Sequence, residues 1–165
     1  MQHRLAWLAL LGAVILVAAG SALATESKGF ASTTVAKGPI DAIDVRSFFP
    51  NEGKLWLSFL KTVGKSDAYV VSNVWEPGGY TGWHTHPSYT LVIVTAGTVT
   101  QYQADDPSCT PHVYTAGMVF VDRGGRHVHN VRNDGDVPAQ VYAVRLVPAG
   151  QKALIDAENP GNCPF

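Results

Sequence analysis

Gly78-Gly-Tyr-Thr-Gly-Trp-His84-Thr-His86-Pro-Ser-Tyr-Thr90-Leu-Val-Ile-Val-Thr-Ala-Gly97 is the stretch whose reading decides the fold. Its second half is a short run rich in β-branched residues, as a pleated strand favours. Glycines punctuate both ends. His84 and His86 are two residues apart, so on an extended chain both imidazoles project to one side, about 7 Å apart along the backbone. Following the same pleat, Thr90 should face inward with Val92 and Val94.

Outward from this stretch the text stays β-like. Runs of Val, Ile, Tyr, Phe, Trp and Thr predict strands over Leu55–Val63, Ala68–Trp75, Thr90–Thr95, Thr98–Gln103, His112–Tyr114, Val119–Val121, His129–Arg132 and Gln140–Val147. Turn signals separate them at residues 64–67, 77–79, 96–97, 116–117, 124–125 and 133–136. Many short strands at close spacing predict an all-β barrel or sandwich. Only Gln151–Ala157 reads as helical, outside the strand set. There is no internal repeat, and no GxGxxG, phosphate loop, CxxC, HExxH or GxSxG pattern to support nucleotide, zinc-finger or serine-hydrolase chemistry.

A second histidine pair lies in Arg126-His127-Val-His129-Asn130. Two such strands facing each other across a barrel supply three or four imidazoles, each able to sit about 2.0–2.1 Å from one ion. No carboxylate cluster accompanies them, which argues against a calcium-type oxygen cage. His127 follows Gly124-Gly125 and is expected in the turn, with a fourth-ligand role left open. His112 is expected at the rim. Tyr80, Trp75, Trp83 and Tyr89 either line a pocket or close a barrel end. Arg123 and Arg126 either clamp an anion or are solvated turn charges, the second being favoured. Glu76 and Asp122 have no assignable role.

Residues 78–97 resemble the first cupin motif, G-x5-HxH-x3,4-E-x6-G, at every fixed position except Thr90, which stands where that family usually has Glu. Residues 117–133 are similar to the second motif, G-x5-PxG-x2-H-x3-N, in a looser form. Gly117 opens it and His129 to Asn133 fits its end, but the segment between has one residue too many and lacks the proline. The resemblance covers about residues 35–148. It implies an antiparallel jelly-roll β-barrel with an internal site for one divalent transition metal (Fe, Mn, Zn, Ni or Cu) on His84, His86 and His129. His127 and Thr90 are candidates for a fourth ligand or a supporting contact. It also implies a small-molecule ligand or substrate and a homodimer. The absent Glu leaves a three-histidine site or an altered one.

Composition bounds the rest. The 165 residues carry 12 Lys+Arg against 13 Asp+Glu, which gives no reason to expect nucleic acid or an anionic membrane surface as a partner. Met1 to Arg4 form a short basic start, Leu5 to Gly20 are almost wholly apolar, and Ala22 and Ala24 are small. This predicts a signal peptide over 1–24, cleaved before Thr25, with export to the periplasm or beyond and no lasting membrane insertion. Residues 25–34 are expected as a flexible leader, 35–148 as the barrel, and 149–165 as a tail with the short helical segment. The two cysteines, Cys109 in a loop and Cys163 in the tail, are expected to form a disulfide in an oxidising compartment. Two function classes stay open: a metal-dependent enzyme of oxygenase or isomerase type, and a non-catalytic binding module.

Overall fold

The computed structural model describes residues 25–165 and consists of strands and turns. In chain order the strands are β1 Lys28–Ile40, β2 Asp44–Asn51, β3 Lys54–Lys61, β4 Ser66–Tyr80, β5 His84–Thr85 and β6 Thr90–Ala96. They continue with β7 Thr98–Gln103, β8 His112–Thr115, β9 Val119–Asp122, β10 His129–Arg132, β11 Ala139–Pro148 and β12 Ile155–Asp156. All pairings are antiparallel. One run is β1-β4-β11-β6-β9 and the other is β12-β5-β10-β7-β8, and they join where Arg132 of β10 pairs with Tyr80 of β4. Two facing runs joined in this way make the barrel that the sequence predicts.

Strict alternation fills the interior. In β11, Ala139, Val141, Ala143, Arg145 and Val147 are buried while the residues between them are not. Thr90, Val92 and Val94 do the same in β6, and Phe120 and Asp122 in β9. The apolar members other than Val147 converge with Val71, Trp75, Val99 and Val131 into one core. That core occupies one part of the interior. Polar residues on the same inward faces occupy the rest.

Three expectations need correction. Residues 25–34 are not a loose leader. From Lys28 they form β1, which pairs along β4 from Phe30↔Trp75 to Ile40↔Ser66, and Phe30 packs on Trp75 at 5.0 Å between ring centroids. Their small, polar composition hid a strand whose backbone ladder, rather than its side chains, holds it in place. The Pro77–Gly79 turn is instead an irregularity inside β4, where β1 skips from Lys28↔Tyr80 to Phe30↔Trp75 and Gly29 lies against Gly79. The segment Gln151–Ala157 is not helical: it bends across the barrel mouth, adds β12 to β5, and supplies the carbonyl of Ala153 to the interior. Tertiary partners for its backbone outweigh its helix propensity.

β2 and β3 form a separate two-stranded sheet, a hairpin closed at Glu52-Gly53 with both residues at positive φ. Phe48, Phe49, Trp56 and Phe59 are exposed on it. The tail is tied down by the expected Cys109–Cys163 disulfide, with Cα atoms 5.2 Å apart. Nearby, Asn162 Nδ2 donates to the carbonyls of Gln103 and Asp106. The predicted signal peptide lies outside the described residues.

Candidate metal centre

The site is built from three short elements that local chemistry brings together. Gly82, at φ 75°, turns the chain out of β4 into β5, and a Cβ there would meet the Thr25 carbonyl. β5 then sets His84 opposite His129 of β10 as Cα partners. His86 follows on the same side. All three imidazoles are buried, and one ring nitrogen from each falls within 4.8 Å of the others. The ring centroids are 4.3 Å (His84–His129), 5.0 Å (His84–His86) and 5.5 Å (His86–His129) apart.

The outer nitrogens face backbone carbonyls: His84 Nδ1 lies 3.0 Å from Gly82 O, and His86 Nδ1 2.7 Å from Ala153 O. Donation of Nδ1–H to its carbonyl leaves the His84 Nε2 lone pair turned inward, as a metal-ligating imidazole requires, and the same holds for His86 in the tautomer that donates to Ala153. Burial pushes His84 well below its usual value, and the neighbouring His129 and His86 add to this. His86 is lowered as well, burial outweighing the pull of Asp122. Both are therefore neutral at neutral pH, the form that binds metal.

Two charged residues share this interior. Asp122 Oδ2 lies 3.2 Å from His86 Nε2 and 3.0 Å from His129 Nε2, while Oδ1 accepts the Gly124 N–H at 3.0 Å. Burial pushes the Asp122 carboxyl up, but hydrogen bonds and charge from His129 and His86 outweigh that and hold it far below the usual carboxylate range. Arg145 is also buried, with Nη1 2.7 Å from His86 Nδ1 and 3.2 Å from Ala153 O. His86 Nδ1 cannot both donate to Ala153 and accept from Arg145, so its tautomer decides whether Nε2 presents a lone pair or a hydrogen to Asp122. In register, Arg145 of β11 pairs with Thr90 of β6, and Thr90 pairs with Asp122 of β9. The three form one inward-facing row across adjacent strands.

These groups line a cavity of about 160 Å³ whose remaining wall is largely apolar, including Phe30, Tyr69 and Val71. Four buried polar atoms at this wall have no hydrogen-bond partner among the described residues: Asn73 Oδ1, Trp75 Nε1, Thr90 Oγ1 and Arg145 Nε. Such atoms are costly to bury alone, so the cavity is suited to a polar ligand.

His84, His86 and His129 thus come together as expected. His127 does not join them. Its side chain is 41% exposed beside Asp105, and only its carbonyl approaches His129 Nδ1, at 3.4 Å. Thr90 is in the cavity wall, its hydroxyl unpaired. Of the four aromatics, Trp75 lines the cavity while Trp83, Tyr80 and Tyr89 do not. Arg123, Arg126 and His112 are exposed. Asp122 and Arg145 are the residues that motif reading missed. Little in the sequence marked them: Val119 to Val121 and Val141 to Val144 are near-continuous apolar runs, and the alternation that turns Asp122 and Arg145 inward is one of burial.

An antiparallel barrel with a buried histidine centre on two facing strands defines a class of proteins, the double-stranded β-helix. Residues 73–145 match the Cupin domain family, which supports membership of the cupin superfamily. Among solved structures, a conserved double-stranded β-helix protein from Klebsiella pneumoniae is 20% identical, with TM-score 0.46 and coverage of 72% of this chain and 85% of that one. Peruvianin-I, a cysteine peptidase from Thevetia peruviana latex, is 22% identical, with TM-score 0.50 and coverage of 79% and 68%. The polyketide cyclase RemF from Streptomyces resistomycificus is 16% identical, with TM-score 0.46 and coverage of 56% and 64%. At its identity the likeness to Peruvianin-I shows the fold alone. A search of curated proteins finds no match.

Proposed function

We propose that this chain is an exported cupin that holds one divalent transition metal on His84, His86 and His129 and takes a small anionic organic ligand in the adjoining cavity. One observation carries the reading: three buried imidazoles with ligand atoms within 4.8 Å of one another, opening on a cavity with unpaired polar atoms. The donor set fits such an ion, since neutral imidazole suits Fe, Ni, Cu and Zn and excludes a calcium-type site. When bound, the ion would supply a Lewis-acid centre able to polarise a carboxylate or dioxygen. This chain's own residues do the rest. Arg145 offers a buried guanidinium to an anion, Trp75 Nε1 a second donor, and the apolar wall excludes water. Oxygenase or isomerase chemistry is the enzymatic form of this proposal.

Elemental analysis and titration with Mn(II), Co(II) and Zn(II) test it. One equivalent should bind to the native protein, and none tightly to His84→Ala or His129→Ala, because each removes a main ligand from a small set. A second reading, a metal-free binding module, is favoured by the Arg145 Nη1–His86 Nδ1 contact, which would place a hydrogen on His86 Nε2. Anion binding without any metal uptake would select it.

Export with cleavage before Thr25 is part of the proposal, supported by the disulfide as a mark of an oxidising compartment. Amino-terminal sequencing of secreted protein should begin at Thr25. The homodimer is also retained as a proposal, since the β2–β3 hairpin leaves large apolar side chains in solvent. Light scattering at micromolar concentration should give twice the chain mass.

A further inference from the structure

The cupin motif has a glutamate where this chain has Thr90, yet the interior is not without a carboxylate. Thr90 and Asp122 are Cα partners across β6 and β9, and both side chains are on the inward face. Asp122 is 4% exposed, on the strand beside the one that should carry the acid. Its Oδ2 stands between two metal-candidate nitrogens, 3.2 Å from His86 Nε2 and 3.0 Å from His129 Nε2. Two donors about 2.1 Å from one ion and at right angles to each other are separated by about 3.0 Å. The spacing is that of neighbouring ligands on one ion. The Gly124 N–H bond to Oδ1 fixes the carboxylate so that Oδ2 is the atom presented.

His86 adds to this in the tautomer that donates from Nδ1 to Ala153; in the other, set by Arg145 Nη1 at 2.7 Å, its Nε2–H donates to Asp122. If its Nδ1–H donates to Ala153 O, its Nε2 lone pair faces the Asp122 lone pairs with no hydrogen between them. Two acceptors at that distance repel unless a cation lies against both. We infer that Asp122 is the fourth metal ligand, a carboxylate moved from β6 to its hydrogen-bonded neighbour β9, and that Thr90 is the small residue that leaves room for it. The inference rests on the proposed three-histidine centre and completes its ligand set as three imidazoles and one carboxylate.

The test uses the full mature chain, made metal-free and titrated with Co(II), reading both affinity and the visible Co(II) absorption. Asp122→Ala should weaken Co(II) more than about 100-fold, beyond the 10–100-fold typical of residues that only support a ligand. Asp122→Asn, which keeps an oxygen for the Gly124 N–H, should also weaken binding and shift the absorption bands. Thr90→Ala should change affinity by less than about threefold, because a hydroxyl is a poor ligand beside imidazole and carboxylate. Thr90→Glu combined with Asp122→Ala returns the acid to the neighbouring strand and should recover at least about tenfold over Asp122→Ala. Circular dichroism confirms that each variant is folded. Wild-type affinity and an unchanged spectrum in Asp122→Asn would overturn the inference, as would a folded double variant with no recovery. Wild-type affinity in His84→Ala would instead overturn the metal centre itself, so the two failures are distinguishable.

Discussion

His84 and His86 carry their function in the charge they lack. Burial holds both below the usual value of 6.5, so the folded chain resists protonating them while the unfolded chain does not. The unfolded state therefore binds more protons as pH falls through 6.5, and stability is lost in that direction. Metal-free protein should be most stable above pH 7 and lose up to about 1.4 kcal/mol per pH unit for each such histidine below 6.5. Chemical denaturation at pH 8, 7, 6 and 5 measures this. A flat profile would mean that the rings stay accessible. Arg145 offers a second prediction at this scale. Arg145→Gln should leave metal stoichiometry intact but weaken binding of a small carboxylate probe by at least about tenfold, since a buried charge-assisted hydrogen bond is lost. Thr90→Glu alone is a third test at this scale. It sets a second acid beside Asp122, and two buried carboxylates repel, so affinity should not rise as it would in a site lacking an acid.

β1 and the loop after β9 are the elements that hold the site's frame. A chain beginning at Val35 would lose the half of β1 that pairs with Val71 to Tyr80, together with Phe30 against Trp75. Losing a packed aromatic and its ladder should lower the melting temperature by at least about 10 °C. Calorimetry of the truncated and full mature chains would show it. In the β9–β10 loop, Gly124 has φ 61°, its N–H anchors Asp122, and an added Cβ would collide with the Ser88 carbonyl. Gly125 has a similar φ of 64° but opens on free space. Gly124→Ala should cost about 2–4 kcal/mol and weaken metal binding, whereas Gly125→Ala should cost about 1–2 kcal/mol from its backbone conformation alone. Equal effects at both positions would mean the contact with Ser88 is not rigid.

Across the whole molecule, the disulfide and the alternation of the strands divide what was legible from what was not. Cys109 and Cys163 are 54 residues apart, and closing that loop contributes up to about 4 kcal/mol by restricting the unfolded chain. Cys109→Ser with Cys163→Ser should lower the melting temperature yet leave metal stoichiometry unchanged, because the bridge holds the tail rather than the histidines. The sequence by itself determined the all-β class and the strands from Ala68 to Val147, since β-rich runs and turn residues are local properties of the chain, while the barrel and the three-histidine set came from the resemblance of residues 78–97 and 117–133 to the cupin motifs. It misled at residues 25–34 and 151–157, where backbone pairing to distant strands, invisible in composition, overrides local preference. It assigned no role to Asp122 and did not single out Arg145; their inward placement comes from the burial of β9 and β11. Only the register of β11, β6 and β9 put Arg145, Thr90 and Asp122 in one row, and only barrel closure set that row against His86 and His129. Which residues lie opposite one another across non-consecutive strands is a property of the tertiary ladder, and no spacing along one chain encodes it.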